Sequence, residues 1–382
     1  MPPPADAPRL AMVAGEASGD LLAGLLLGGL RRRWPALSAA GIGGPAMAAQ
    51  GFDAWWPHHK LAVRGYVEVL RHFREIVGIR RALAERLLRE RPDAFVGVDA
   101  PDFNLGLEER LKAHGLKTVH FVSPSIWAWR GERIHQIRRA VDHVLCIFPF
   151  EPAIYERAGI PASYVGHPLA DAIPLQPPRA AARAALGQPP EATLVALLPG
   201  SRRSEITAIA PRLLAAAAEM HRARPALRFL LPAAPGLRDL LDPLCAAHPG
   251  LPLDRVDGRS HEVLAACDLA LVASGTATLE AALFKRPMVI VYWMNPLSWW
   301  MMKRKQLQPW VGLPNILLED FAVPELIQDA ATPAGIARAG FAWLDDPAAT
   351  ARLAARFDAL HTLLRRDTGA AATAVMEALL GR

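Results

Sequence analysis

What most restricts this chain is the regular alternation of short, wholly apolar runs with longer amphipathic ones. Residues 10–14, 94–98, 118–122, 141–148 and 163–165 read as strands, and residues 18–33 and 103–114 as helices. A stretch rich in proline, alanine and arginine, 168–190, interrupts the series. Strands then return at 193–198, 228–231, 269–273 and 288–292, with helices over 205–224 and 276–284. Fully apolar strands separated by helices build parallel sheets covered on both faces. From residue 333 onward the sequence is alanine-rich and helical. The expectation is an α/β chain of two doubly wound, Rossmann-like domains, 1–170 and 171–345, closed by C-terminal helices over 346–382 that pack back. A length of 382 residues suits two cores better than one. In open parallel sheets ligands sit beyond the carboxyl ends of the strands. Functional residues are therefore expected just after strands, with the cleft between domains as the default site.

Composition narrows the field without choosing within it. At 52% hydrophobic and 21% charged residues the chain is globular rather than disordered. Its net charge of +6, supplied almost entirely by arginine, suits phosphorylated substrates, anionic lipid or nucleic acid alike. The cysteines Cys146, Cys245 and Cys267 form no CxxC pair, which points to buried free thiols rather than disulfides or zinc. The apolar run 21–30 is too short to span a bilayer and no other stretch is long enough, so a soluble or peripheral protein is expected.

Several strand ends carry residues with chemistry. Residues 10–14 run into Gly15-Glu16-Ala17-Ser18-Gly19-Asp20, a glycine turn opening a helix. Such a turn can offer amides and a positive helix end to an anion. It equally fits a plain tight turn with Ser18 or Asp20 as the helix cap. Asp99 stands just past the apolar strand 94–98, in Gly97-Val98-Asp99-Ala100-Pro101-Asp102-Phe103-Asn104. Asp102 reads as a helix N-cap and Asn104 as a first-turn residue, which leaves Asp99 as a carboxylate able to take a proton from a hydroxyl. In Ser123-Pro124-Ser125-Ile126-Trp127-Ala128-Trp129-Arg130, loop tryptophans more often pack locally than bind ligand, but their density beside Arg130 and Arg133 strengthens the case for a sugar or acyl-chain wall. His167, in Gly166-His167-Pro168, reads as a cleft or a hinge residue.

The second half opens with Pro199-Gly200-Ser201-Arg202-Arg203-Ser204-Glu205, a strand-to-helix turn offering backbone donors and a guanidinium to a diphosphate. It lacks the Gly-Lys-Ser/Thr of a nucleotide-hydrolysing loop. Ser274, Gly275 and Thr276 can donate to phosphate at a second helix start, and Glu280, one turn beyond Thr276, can accept from ribose hydroxyls. Two further segments favour a membrane surface. The amphipathic stretch 63–91 carries Tyr66, Val67, Leu70 and Phe73 flanked by Arg64, Arg71, Arg74, Arg80, Arg81, Arg86 and Arg89, and 292–310 carries Trp299 and Trp300 beside Lys303, Arg304 and Lys305.

Taken in chain order, these motifs and Leu313-Pro314-Asn315 resemble the lipid-A-disaccharide synthase family over almost the whole chain. The runs 15–20, 97–104 and 123–130 are the most specific. The resemblance implies a GT-B fold and inverting transfer of a diacylated glucosamine from UDP onto diacylglucosamine 1-phosphate, giving a β-1,6-linked disaccharide and UDP. It implies a cytoplasmic enzyme, peripheral on the inner membrane, with a C-terminal segment that can be exchanged between protomers of a homodimer. Asp99 becomes the base and Glu16 a cleft acid. Ser18, Gly19, Ser125 and Trp127 join the substrate side, Arg202 contacts the diphosphate, and Ser274, Gly275 and Thr276 hold phosphate. Glu280 binds the ribose, and Asn315 matches a cleft position. No Asp-x-Asp metal motif follows a strand, so neither metal nor other cofactor is expected, and no nucleic-acid module is present. The alternatives are a UDP-sugar 2-epimerase or hydrolase on the same scaffold, which needs no apolar acceptor surface, and a non-catalytic nucleotide-binding protein.

Overall fold

The computed structural model describes residues 7–57, 61, 66–234 and 236–381, with backbone alone at 66–73 and 297–298. The chain forms two compact units, Met1–Ala172 with Leu364–Arg382, and Ile173–Leu363. The first holds strands β1 (Arg9–Ala14), β2 (Ser38–Gly43), β3 (Asp53–Pro57), β4 (Ala94–Val98), β5 (Thr118–Phe121), β6 (His143–Cys146) and β7 (Ala162–Tyr164). They lie in the order β3-β2-β1-β4-β5-β6-β7, every neighbour parallel. The second holds β8 (Leu194–Leu198), β9 (Arg228–Ala233), β10 (Leu253–Asp257), β11 (Leu269–Ala273), β12 (Met288–Tyr292) and β13 (Glu325–Ile327). Their order is β10-β9-β8-β11-β12-β13, again wholly parallel.

Central strands β4, β5, β8 and β11 are buried at every residue, as strands covered on both faces must be. The helix Tyr66–Glu90 lays Ile79, Leu83, Ala84 and Leu87 against Phe95, Phe103, Leu107 and Leu111 in the first core. The second core packs the helix Arg203–Ala223, through Ile206, Ile209, Leu213 and Met220, on β8, β9 and β11.

Residues 346–382 do not form one block. The helix Pro347–Leu364 packs in the second unit, where His361 Nδ1 lies 2.6 Å from Lys285 Nζ. The helix Thr368–Leu380 belongs to the first. It crosses the helix Ala17–Arg33 at Gly29 and Gly369, where a Cβ on Gly29 would come within 2.3 Å of the Gly369 Cα. Arg33 pairs with Glu377 at 2.6 Å, and Asp171 accepts from the amides of Asp367 and Thr368.

Candidate active site

Both sheets reverse their winding direction once, and the motif turns follow the strands on either side of each reversal. In the first unit the chain winds outward from β1 to β3 and then from β4 to β7, so the switch lies between β1 and β4. Such switch points form crevices at the carboxyl edge of a parallel sheet. Glu16, Ser18 and Gly19 follow β1, and Asp99 follows β4. The two turns are adjacent, since a Cβ on Gly19 would stand 3.7 Å from the Val98 carbonyl oxygen and 4.0 Å from the Asp99 Cβ.

Asp99 and Ala100 both adopt left-handed backbone, with φ of +50° and +44°. That region costs an ordinary L-residue such as Ala100 about 1–2 kcal/mol, and aspartate less, so the surroundings must hold the pair there. The Asp99 amide donates to the Phe121 carbonyl at 3.0 Å. Asn104, fully buried, points Nδ2 at the carbonyls of Val13, Val98 and Asp99, at 3.3, 3.4 and 2.8 Å. One amide thus ties together the ends of β1 and β4 and the Asp99 turn. Below it, a Cβ on Gly97 would meet Glu108 Oε1 at 2.2 Å, so glycine there makes room for the buried Glu108–His120 pair, 2.8 Å apart.

Three cap assignments need correcting. The residue preceding the helix Pro101–Ala113 is Ala100; Asp102 lies inside that helix, exposed, paired with Arg133 and, at 3.8 Å, Arg130. Neither Ser18 nor Asp20 caps the helix Ala17–Arg33, which starts after Glu16. Asp20 is buried and accepts from the amides of Gly44, Ala46 and Met47 at 2.7, 2.9 and 3.2 Å, capping the short helix Pro45–Ala48 instead. Asp102 and Asp20 each find better partners across the fold than in the local turn.

After β5, Ser125 is exposed, but Ser123 is buried, with Oγ 2.6 Å from the Tyr155 hydroxyl. Trp127 is partly buried and donates Nε1 to Glu151 at 3.0 Å. His167 is interior: its Nδ1 accepts from the Leu169 amide at 3.2 Å, and its ring lies 5.7 Å from that of Phe148. Burial drives its pKa down to about 3, so it is a neutral packed side chain.

In the second unit the reversal lies between β8 and β11. Gly200, Ser201 and Arg202 follow β8, and Ser274, Gly275 and Thr276 follow β11. Three expected donors are already committed. The Ser201 amide donates to Glu205 Oε2 at 3.0 Å, and the other oxygen of Glu205 pairs with Arg202. The Ser274 hydroxyl donates to the Val311 carbonyl at 2.9 Å. Gly275 is exposed, with φ +150° and no atom within 4 Å of where a Cβ would stand, so a ligand could come up against its backbone. Thr276 and Glu280 are partly buried one turn apart, and His261 Nε2 lies 3.5 Å from the Glu280 carboxylate.

Asn315 also differs from the expected contact residue. It is fully buried, its Nδ2 donating to the Val323 carbonyl and Glu325 Oε1, both at 2.9 Å, and its Oδ1 accepting from the Val323 amide at 3.0 Å. Glu325 also accepts from the amides of Val311 and Gly312, at 3.0 and 2.8 Å. Asn315 and Glu325 together shape the loop that Ser274 holds, so Asn315 acts through that loop. Glu151 and Glu325 carry no motif signal: Glu151 is marked only by its place at a helix start, and Glu325 opens an edge strand, while Glu205 ends the 199–205 run without a role read for it.

Tyr66, Val67, Leu70 and Phe73 lie outside the residues whose side chains are described. Trp299 packs edgewise on Tyr292 with centroids 6.4 Å apart, whereas Trp300 is 52% exposed with the Arg304 guanidinium 3.6 Å over its ring. Among the described residues no cluster of His, Cys, Asp and Glu is placed to hold a metal ion, and no helix is long and apolar enough to cross a membrane.

Comparison with known proteins agrees with this layout. The family described as lipid-A-disaccharide synthetase matches residues 10–375. The lipid-A-disaccharide synthase of Albidiferax ferrireducens is 61% identical, covering 98% of each chain. That of Verminephrobacter eiseniae is 57% identical, covering 100% of each. Among solved structures, a UDP-GlcNAc 2-epimerase from Neisseria meningitidis superposes with a TM-score of 0.66 at 10% identity, over 98% of this chain and 100% of that one. The kitacinnamycin glycotransferase gives 0.65 at 16%, over 98% and 99%. At such identities the structures establish a shared mixed α/β fold of the GT-B type, while the near-full-length relatives decide between transferase and epimerase. The chain therefore belongs to the lipid-A-disaccharide synthase family of glycosyltransferases.

Proposed function

We propose that the donor is UDP-2,3-diacylglucosamine, the acceptor 2,3-diacylglucosamine 1-phosphate, and the transfer inverting, to a β-1,6-linked lipid A disaccharide 1-phosphate and UDP. The observation that carries this reading is the position of Asp99: a carboxylate on a left-handed turn at a sheet switch point, beside Glu16, Ser18 and Gly19. A base there takes the proton from the acceptor 6-hydroxyl as that oxygen attacks the anomeric carbon. The leaving diphosphate gains charge as its bond to the sugar breaks. Arg202 and the helix start at Ser274, Gly275 and Thr276 supply positive charge and donors, in the role a divalent metal would otherwise play. Glu280 takes the ribose hydroxyls, with His261 behind it. Ser125 and Trp127 line the sugar or acyl side.

The exposed Trp300, stacked under Arg304 and flanked by Lys303 and Lys305, supports peripheral contact with an anionic bilayer. The sequence of Tyr66, Val67, Leu70 and Phe73 belongs to the same membrane reading, on the cytoplasmic face of the inner membrane. A homodimer exchanging its C-terminal segment belongs to the same reading. The test is UDP release from UDP-diacylglucosamine with and without the monosaccharide phosphate. Acceptor-dependent release is expected, and acceptor-independent turnover would overturn the transferase assignment of this site.

A further inference from the structure

The first unit contains a buried carboxylate for which the transfer chemistry has no use. Glu151 opens the helix Glu151–Arg157 after β6 and is 1% exposed. Its Oε2 accepts from the amides of Ile147 and Phe148, at 3.1 and 3.0 Å. Its Oε1 accepts from Trp127 Nε1 at 3.0 Å. One side chain therefore joins the segment after β5 to the segment after β6. The Trp127 indole is held further by edge contacts with Phe148 and Phe150, at 6.1 and 5.3 Å between centroids. Those two phenyl rings stack on each other at 5.9 Å.

We infer that Glu151 is a positioning residue for the acceptor side of the site: its carboxylate sets the Trp127 indole and the 123–130 turn, and through them acceptor binding. This rests on Trp127 lining the substrate. Holding the turn after β6 would need only the Ile147 and Phe148 amides. The indole is an additional donor, brought from another strand end. Every partner is a donor, so only the ionised, acceptor-only carboxylate satisfies all of them. Glutamine has one acceptor oxygen, and its NH₂ would confront N–H groups on the other side. A protonated Glu151 meets the same conflict.

Burial raises the Glu151 pKa to about 7, against the hydrogen bonds that lower it. The other ionisable groups around it stay fixed over the working range. Burial pushes the thiol of Cys146 and the phenol of Tyr155 far up, and that of Tyr164, near Arg366, to about 12. His167, against Phe148, is held neutral down to about 3. Glu151 is thus the member of this cluster that changes charge near neutrality, and acceptor use should rise with pH as it ionises.

The experiment is steady-state kinetics of full-length wild type, Glu151→Gln and Trp127→Phe, with acceptor varied between pH 5.5 and 8.5 and UDP affinity measured alongside. Wild type should show acceptor kcat/KM rising through an apparent pKa near 7. In Glu151→Gln that limb should vanish and kcat/KM fall about tenfold, with UDP Kd unchanged within about twofold. Trp127→Phe, which keeps a ring but removes the N–H, should raise acceptor KM in the same direction and serves alone if the Glu151 variant does not fold. Wild-type acceptor dependence tests the transferase reading separately. Wild-type acceptor KM and an unaltered pH limb in whichever variants fold would overturn the role of Glu151.

Discussion

The Glu205 carboxylate occupies the two donors that a diphosphate at the β8 turn would need, and neutralising it should tighten UDP binding. Glu205 binds the Ser201 amide through one oxygen and Arg202 through the other, with side chains 25% and 36% exposed. At Gly200, with φ of +110°, a Cβ would lie 2.4 Å from Glu205 Oε2, so the turn closes directly around this carboxylate. An ion pair this exposed contributes about 0.2–1 kcal/mol, and an incoming diphosphate must displace it. Glu205→Gln keeps an acceptor for the Ser201 amide and removes the charge. UDP should then bind about 1 kcal/mol, or roughly fivefold, more tightly. Loss of an acidic residue from the first helical turn costs about 0.3–1 kcal/mol of stability. In a unit of this size that lowers Tm by roughly 2–4 °C for each kcal/mol. Isothermal titration with UDP and, in parallel, with uridine isolates the effect, because uridine has no diphosphate to compete. A weakened UDP Kd, or an equal gain for uridine, would refute the reasoning.

Asp99→Asn should fold normally and lose kcat by roughly two orders of magnitude or more, as removal of a general base does; near-normal turnover would remove Asp99 as the base. EDTA should leave turnover unchanged, and loss of activity rescued by a divalent cation would place metal at the diphosphate. Stability against pH should carry opposed contributions from Glu151 and His167. Glu151, raised from 4.5 to about 7, contributes stability that is complete below 4.5 and lost as pH rises through 7. His167, lowered from 6.5 to about 3, contributes stability that is complete above 6.5 and lost as pH falls towards 3. Between 4.5 and 6.5 the two slopes cancel. Denaturant unfolding of Glu151→Gln should therefore show stability rising relative to wild type by up to about 1.4 kcal/mol per pH unit in that window, and a flat difference would sink this account.

The fold was legible where burial leaves an apolar signature and illegible where it does not. β1, β4, β8, β11 and β12 are continuous apolar runs because both faces are covered, and their bounds follow from hydrophobicity. β3, β10 and β13 are half-exposed edge strands carrying charge or only three residues long, so no run marks them. β2 escaped for a different reason. Its Ser-Ala-Ala-Gly-Ile-Gly sequence is made of small residues, and at Gly41 a Cβ would stand 2.2 Å from the Met12 carbonyl oxygen. Close approach to β1 selects for smallness there, and smallness reads as loop.

In the site, position after a strand was legible and partnership was not. Asp20, Asp99, Asp102 and Glu151 all follow strand ends or open helices, and in sequence they are much alike. What separates them is the set of donors each meets across the fold. Asp20 meets three amides of a distant turn, and Glu151 meets donors from two strand ends. Asp102 meets exposed arginines. Asp99 is set apart by its backbone, the start of a left-handed pair with Ala100 that Asn104 and Phe121 hold in place and that alanine disfavours. Strain of that kind persists only where surrounding structure over-determines it, and here the restraint comes from three different strand ends. Substituting Asn104 should therefore move Asp99 before it unfolds the sheet. That makes kcat, rather than stability, the sensitive measure of whether this turn is built for catalysis.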